Sequence, residues 1–309
     1  MTITFEGEER KRFVVPTGCF SVDIALHGGL HIPAGYEIYG FTHVGKSTLC
    51  YDWAGLTRPK GKIALADYEH YDQSYLAGCL KHVGFSGTVN RLPIGTGEEV
   101  MTCIRDCLLD PEYQSAILDS VGALVPRIEI EEPVAPQGYG TQKAKLMAQA
   151  MRLVMYALLR NPATFFATNH LHKIIGIGRG TTTTGGVAIH NLSAIRIRLG
   201  TEKVGDNYVI AQGRVDKHRW GGKGGAFKLV IIPGYGIHRG LTAVVDAIWY
   251  ELAEEDRTVQ MNGKKYGYMK TLARKAINGE VKIFEPFMEA LDELGAKHRA
   301  GATKKNTGK

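Results

Sequence analysis

The sequence predicts an α/β fold: a central, mostly parallel twisted sheet flanked by helices, followed by a small C-terminal α+β lobe. Three observations predict it. From Tyr36 onward, strand-like apolar runs alternate with helical patterns, the grammar of βαβ units. A glycine-rich loop joins the first of these runs to a helix, and after about Leu241 the order changes to helix, hairpin and two helices.

The first junction reads Tyr36-Glu-Ile-Tyr-Gly40-Phe-Thr-His-Val-Gly45-Lys46-Ser47-Thr48, a complete Gly-x4-Gly-Lys-Ser phosphate loop. Gly40 and Gly45 let the backbone turn so tightly that the N–H groups of Thr42, His43, Val44 and their neighbours face inward at a triphosphate. The helix starting near Lys46 adds the positive end of its dipole. Lys46 then reaches the β- and γ-phosphates, the Ser47 hydroxyl ligates Mg²⁺, and Thr48 continues the cradle. ATP with Mg²⁺ is the expected cofactor.

Further strands are expected at Ile63–Asp67, Ala116–Asp119, Thr164–Thr168 and Ala194–Leu199. The last alternates apolar and basic residues, so one of its faces is expected to be wet. Tyr208–Val215 and Ala226–Ile232 read as two more, joined through a glycine-rich turn at Gly221–Gly225. Between Thr141 and Arg160, Met147, Ala150, Met151, Val154, Met155, Leu158 and Leu159 recur at helical spacing, a core-facing stripe. Lys145, Gln149, Arg152 and Tyr156 recur on the opposite face as a basic, hydrogen-bonding ridge, or as an ordinary solvated face. Two loops bracket this helix. Pro126–Gly140, with Pro133, Pro136, Gly138 and Gly140, is expected to be irregular, and Ile174–Gly186 is rich in Gly and Thr. Both follow predicted strands, at the sheet end where open α/β folds bind ligands. In the lobe, helices are expected at Leu241–Glu254, Lys270–Ile277 and Val281–Leu294, with a hairpin at Thr258–Met269 around Asn262-Gly263.

At 309 residues, 44% hydrophobic and 22% charged, the chain can bury one sizeable core and a small second unit. No apolar run reaches the roughly 18 residues that span a bilayer, and the first ten residues carry no signal-peptide core, so a cytoplasmic protein is expected. The five cysteines include no C-x-x-C pair and read as reduced thiols, Cys103 and Cys107 as half-buried helix residues.

Charge is unevenly spread. Of the formal +7, five charges fall on Lys297, Arg299, Lys304, Lys305 and Lys309, in a tail expected to be disordered. No Asp or Glu occurs from Pro133 through Thr201, where composition predicts roughly seven. That window carries Lys143, Lys145, Arg152, Arg160, Lys173, Arg179, Arg196 and Arg198, which points to a polyanion-binding surface.

Taken in order, the motifs resemble the RecA family of DNA recombinases, phage members such as UvsX included. The resemblance rests on Thr17-Gly-Cys-Phe-Ser-Val-Asp-Ile-Ala-Leu-His-Gly-Gly29, the phosphate loop, Ala66-Asp-Tyr-Glu69-His70 and Leu118-Asp119-Ser-Val-Gly-Ala-Leu-Val-Pro126. It continues through Met147-Ala-Gln-Ala-Met-Arg152 and Thr181-Thr-Thr-Thr-Gly185-Gly186 and covers roughly Pro16 to Leu294. It implies a RecA-like ATPase core over 16–240, with DNA-binding loops at about 126–142 and 173–190. A C-terminal α+β domain over 241–296 and a basic tail over 297–309 follow, and residues 1–15 form a short segment able to contact a neighbouring subunit.

Carried over residue by residue, the resemblance makes Glu69 the carboxylate that orients and deprotonates the attacking water, and Asp119 the strand-end acid of the Mg²⁺ shell beside Ser47. Asp72 and Tyr75 fall where the family contacts adenine, given a one-residue deletion relative to bacterial RecA. Asn169-His170 occupies the γ-phosphate sensor position at the root of the second loop, where bacterial RecA has glutamine. Lys217 and Arg219 match two lysines that reach the neighbouring subunit's ATP in filaments, tying hydrolysis to assembly. Lys145, Arg152, Lys173, Arg179, Thr184 and the amides of Gly185 and Gly186 would hold DNA phosphates without reading bases.

The function so implied is a DNA-dependent ATPase that binds single-stranded and double-stranded DNA, self-associates into a helical filament and promotes strand exchange. The chain departs from the family in the short stretch before Thr17 and in its first loop, where Pro133, Pro136 and Tyr139 replace the usual pattern. Tyr139 could stack on bases or pack on its own protein. The competing readings are a RecA-fold regulatory paralogue, a ring helicase and, more weakly, a small-molecule kinase.

Overall fold

The computed structural model describes residues 12–132, 139–173, 180–222 and 224–306. In chain order the elements are β1 (Phe13–Val15), α1 (Phe20–Ala25), β2 (Leu30–Ile32), β3 (Ala34–Gly40), α2 (Lys46–Thr57), β4 (Lys62–Asp67), α3 (Gln73–His82), β5 (Thr88–Arg91), α4 (Gly97–Leu109) and β6 (Tyr113–Asp119). Next come α5 (Arg127–Glu131), α6 (Tyr139–Arg160), β7 (Thr164–Lys173), β8 (Thr181–Thr183), α7 (Val187–Leu192), β9 (Ile195–Val204), β10 (Val209–His218), β11 (Ala226–Ile232) and β12 (Gly236–Ile237). The lobe adds α8 (Arg239–Trp249), β13 (Glu254–Asp256), β14 (Thr258–Met261), β15 (Lys264–Gly267), α9 (Met269–Ile277) and α10 (Glu285–Asn306).

The main sheet runs β12-β11-β10-β9-β3-β7-β6-β4-β5, with β8 added to β7. Its centre, from β9 through β3, β7, β6 and β4 to β5, is parallel, and the β9–β12 edge is antiparallel. The α/β fold expected from the sequence is therefore present. Every residue of β3 is buried, as a central parallel strand between two neighbours must be. The chain leaves β3 and returns to the far side of the sheet as β4, so the carboxyl ends of β3, β4, β6 and β7 gather at one edge, where such sheets place ligands.

One face of the sheet packs on α2 and α3 through Leu49, Trp53, Leu76 and Leu80. The other packs on α4 and α6 through Val100, Ile104, Met147, Met151 and Val154. The stripe read from the sequence is the buried face of α6, except that Leu159 is exposed. The lobe shares its core with the sheet, since Tyr208, Ile210, Val230 and Ile232 cluster with Leu241, Val244 and Phe287.

Several expectations change. The stretch after Pro126 is helical over Arg127–Glu131, 133–138 lie outside the described residues, and Tyr139 opens α6 rather than sitting in a loop. The second loop returns as β8, antiparallel to β7 with Leu171 opposite Thr183. Threonine suits a pleated edge, so that stretch forms a hairpin arm. The first lobe helix stops at Trp249, and Glu254 opens β13. The tail from Lys297 continues α10 through Asn306, because extending a formed helix avoids the cost of nucleating one. β1 pairs antiparallel with β2 of its own chain, Phe13 opposite Ile32. All five cysteines are free, with Cys103 and Cys107 half-buried as expected. No helix among the described residues is long and apolar enough to cross a membrane.

Candidate nucleotide site and DNA-facing surface

A cleft of about 390 Å³ opens at the carboxyl edge of the sheet. Its floor is the loop between β3 and α2. Gly45 adopts φ +88°, a conformation that favours glycine, and a Cβ there would come within 2.3 Å of Ile231 Cδ1 and displace that side chain of β11. Lys46 is buried and donates from Nζ to the Phe41 carbonyl at 2.7 Å. Burial pushes its pKa down, opposed by the charges of Asp119 and Glu69.

Asp119 ends β6 opposite Asp67 of β4 and is buried. Thr168 Oγ1 donates to its Oδ1 at 2.6 Å and the Tyr51 hydroxyl to its Oδ2 at 3.2 Å. Desolvation raises its pKa, against the hydrogen bonds from Thr168, Ser47 and Tyr51. Such a site favours a cation arriving to balance the carboxylate. Among the described residues no group of three or more His, Cys, Asp or Glu could hold a metal by itself. One hydroxyl, Ser47, beside one carboxylate, Asp119, suits Mg²⁺, which takes few protein ligands and fills its shell with water and phosphate oxygens.

Glu69 and His170 face each other across the cleft, Oε1 to Nε2 3.5 Å. His170 lies opposite Gly40 in the β3–β7 register, which brings the sensor position to the end of the phosphate-loop strand. Thr42, His43, Val44, Thr48 and Tyr75 also line the cleft. Asp72 does not: it caps α3, accepting from Ser74 N at 3.0 Å and from the Ser74 hydroxyl at 2.8 Å.

Sequence reasoning missed Tyr71, whose ring stacks on Tyr75 with centroids 5.6 Å apart and whose hydroxyl accepts from Ser47 Oγ at 3.3 Å. The Tyr75 hydroxyl meets that of Thr48. Ile231 and Pro233 of the β11 side were also missed as walls of the cleft. Tyr71 follows Glu69 by two residues, just past the end of the quoted motif, a signal available in the string.

Lys217 and Arg219 lie outside this cleft. Lys217 Nζ donates to the His190 and Asn191 carbonyls at 2.8 and 2.7 Å, and Arg219 to those of Asn191 and Leu192 at 3.2 and 3.3 Å. Both cations thus cap the carboxyl end of α7, as its dipole favours.

On the surface expected to meet DNA, Lys145, Gln149, Arg152 and Tyr156 are exposed along α6, as the ridge requires. Thr184 Oγ1 lies 3.1 Å from His172 Nε2. Gly185 and Gly186 have φ +93° and +73°, and a Cβ on either would strike Val121 or Ala144, at 2.9 and 2.8 Å. Glycine at these two positions allows close packing on Val121 and on Ala144 of α6. Lys173 ends β7, and Arg179 lies outside the described residues. Two charges of the acid-free window are not surface charges. Arg196 Nε donates to the buried Glu37 at 2.6 Å, so the face of β9 expected to be wet is half-buried at Arg196 and exposed at Arg198, and Lys143 donates to the Gly122 carbonyl at 2.8 Å.

A family model described as the RecA N-terminal domain matches residues 3–217. The chain belongs to the RecA family. It is 30% identical to protein RecA of Nostoc punctiforme over 292 residues, 91% of this chain and 78% of that one. The figures for protein RecA of Thermosynechococcus vestitus are 31% over 266 residues, 82% and 71%, and for that of Arthrospira platensis 32% over 263 residues, 82% and 69%. RecA-family proteins are ATP- and DNA-binding ATPases of recombination and repair.

Proposed function

We propose that this RecA-family chain is an ATP-dependent DNA recombinase of the cytoplasm that assembles on single-stranded DNA, hydrolyses ATP in response to it, and pairs it with double-stranded DNA. One observation carries the reading: Lys46, Ser47, Asp119, Glu69 and His170 converge on one cleft, and β7 runs from His170 directly into the second loop.

The chemistry follows from those groups. Lys46 and the inward N–H groups of the loop bind and orient the triphosphate. Ser47 and Asp119 would hold Mg²⁺, which when bound supplies charge neutralisation at the phosphates. Glu69 accepts the proton of the attacking water, and His170 at 3.5 Å is within reach to fix the carboxylate and to donate to a phosphate oxygen. Lys217 and Arg219 act on a neighbouring copy's nucleotide once freed from α7, so hydrolysis is completed by assembly. Lys145 and Arg152, with Lys173, Arg179, Thr184 and the Gly185–Gly186 turn, contact phosphates and leave bases free to pair.

The test is ATP hydrolysis with and without single-stranded DNA, followed by electron microscopy of the same mixture with a non-hydrolysable analogue. Lys46→Ala is expected to abolish DNA-dependent turnover, and Glu69→Gln to retain nucleotide and DNA binding while losing turnover by at least 100-fold. Absence of DNA stimulation in the unmodified chain would support the regulatory paralogue instead, and closed rings with unwinding activity the helicase.

A further inference from the structure

Glu37 lies in the middle of β3, fully buried, in a strand whose other residues are apolar or small. A carboxylate in such a place is tolerated only when its oxygens are filled by strong donors. Its Oε2 accepts from Arg196 Nε of β9 at 2.6 Å, and the Arg196 guanidinium lies over the Tyr39 ring. Its Oε1 accepts from Asn169 Nδ2 of β7 at 3.0 Å and lies 3.9 Å from His190 Nε2 of α7.

Asn169 is committed at each of its polar atoms. Oδ1 accepts the N–H of His170 at 2.9 Å, and Nδ2 donates both to Glu37 and to the Thr184 carbonyl at 2.8 Å. His190 in turn meets Thr183 Oγ1 at 2.5 Å, and its carbonyl receives Lys217. One buried carboxylate therefore joins the phosphate-loop strand, the strand bearing His170, the returning arm of the second loop and the helix that holds Lys217.

We propose that Glu37 and Asn169 are positioning residues that couple the two ligands: the carboxylate–amide pair holds His170 and the Thr184 backbone in one relative arrangement. A shift of the second loop when it takes up DNA cannot occur without re-aiming His170 or breaking a hydrogen bond in a dry site. Both residues are fully buried, and neither lines the cleft. The inference rests on the DNA-stimulated ATPase reading.

Reciprocity makes it testable, because a coupling between two ligands must appear equally in both affinities. The intact chain and Asn169→Ala are compared in three measurements. These are affinity for a fluorescent ATP analogue, single-stranded DNA affinity with and without a non-hydrolysable ATP analogue, and the ratio of DNA-stimulated to unstimulated turnover. In the variant, nucleotide affinity without DNA serves as the reference against which the other two measurements are read. The analogue's tightening of DNA binding is expected to fall about tenfold, the middle of the usual coupling range, and the stimulation ratio to fall in the same direction. Asn169→Ser keeps a polar group in the dry site and carries the test if alanine unfolds the chain by thermal melting. His190→Ala is expected to act in the same direction more weakly. A folded Asn169 variant with both ratios unchanged overturns the hub. An unmodified chain with no stimulation overturns the ATPase reading itself.

Discussion

α6 and β9 carry the same kind of sequence, basic residues set among apolar ones, yet Arg196 of β9 uses its charge in the opposite way from the cations of the α6 ridge. On α6 the cations at Lys145 and Arg152 stand exposed on the face opposite the buried stripe. On β9 the cation at Arg196 turns inward and meets Glu37, which lies 159 residues earlier in the chain. A window without acids is therefore not a window of free cations. The partner of a buried charge comes from whichever strand the topology lays alongside, and here that is the phosphate-loop strand.

The contrast can be broken or sharpened by mutation. Arg196→Ala leaves the Glu37 carboxylate buried without its cation and should cost about 3–5 kcal/mol of unfolding free energy, read by denaturant titration; a loss below about 1 kcal/mol would make the pair no different from a surface contact. Lys143 stands between the extremes, half-buried with its ammonium on the Gly122 carbonyl. Lys143→Ala should cost about 1.5–3 kcal/mol in the same assay, the net worth of a charged hydrogen bond. Arg152→Ala should change stability by less than about 0.5 kcal/mol. Its effect appears in DNA binding instead, where the slope of log affinity against log salt should become shallower by about 0.7 for single-stranded DNA. An unchanged slope removes Arg152 from the DNA-facing surface.

What could be read from the string was what is local. The phosphate loop is contiguous, Glu69 and Asp119 end apolar runs, and the α6 ridge follows from helical period alone. The strand at Ala226–Ile232 is found with the expected bounds for the same reason. What could not be read depends on pairing between distant segments. Glu37 looked like one polar letter in an apolar strand, and its partners Asn169 and Arg196 are 132 and 159 residues away. The bidentate pair of Asp52 with Arg239 at 2.6–2.7 Å, which ties α2 to the start of the lobe, spans 187 residues and leaves no periodic trace. Lys217 and Arg219 were singled out by family resemblance, but their hold on the α7 carbonyls required coordinates. The Gly/Thr composition of the second loop suggested irregularity, whereas backbone pairing with β7 makes its returning arm a strand.

The packing of Gly45 against Ile231 sets the order in which this molecule can come into being. The phosphate loop is made early, but its strand has no neighbours until Thr164 and Ile195 arrive to flank Ala34 and Tyr36. The wall against which the loop closes comes later still, with β11. Such non-local closure is slow, so during synthesis the nascent chain carries an intact motif without a nucleotide site. A fragment that stops at residue 217 would contain the motif together with Glu69, Asp119 and His170, and still lack the β11 side of the cleft.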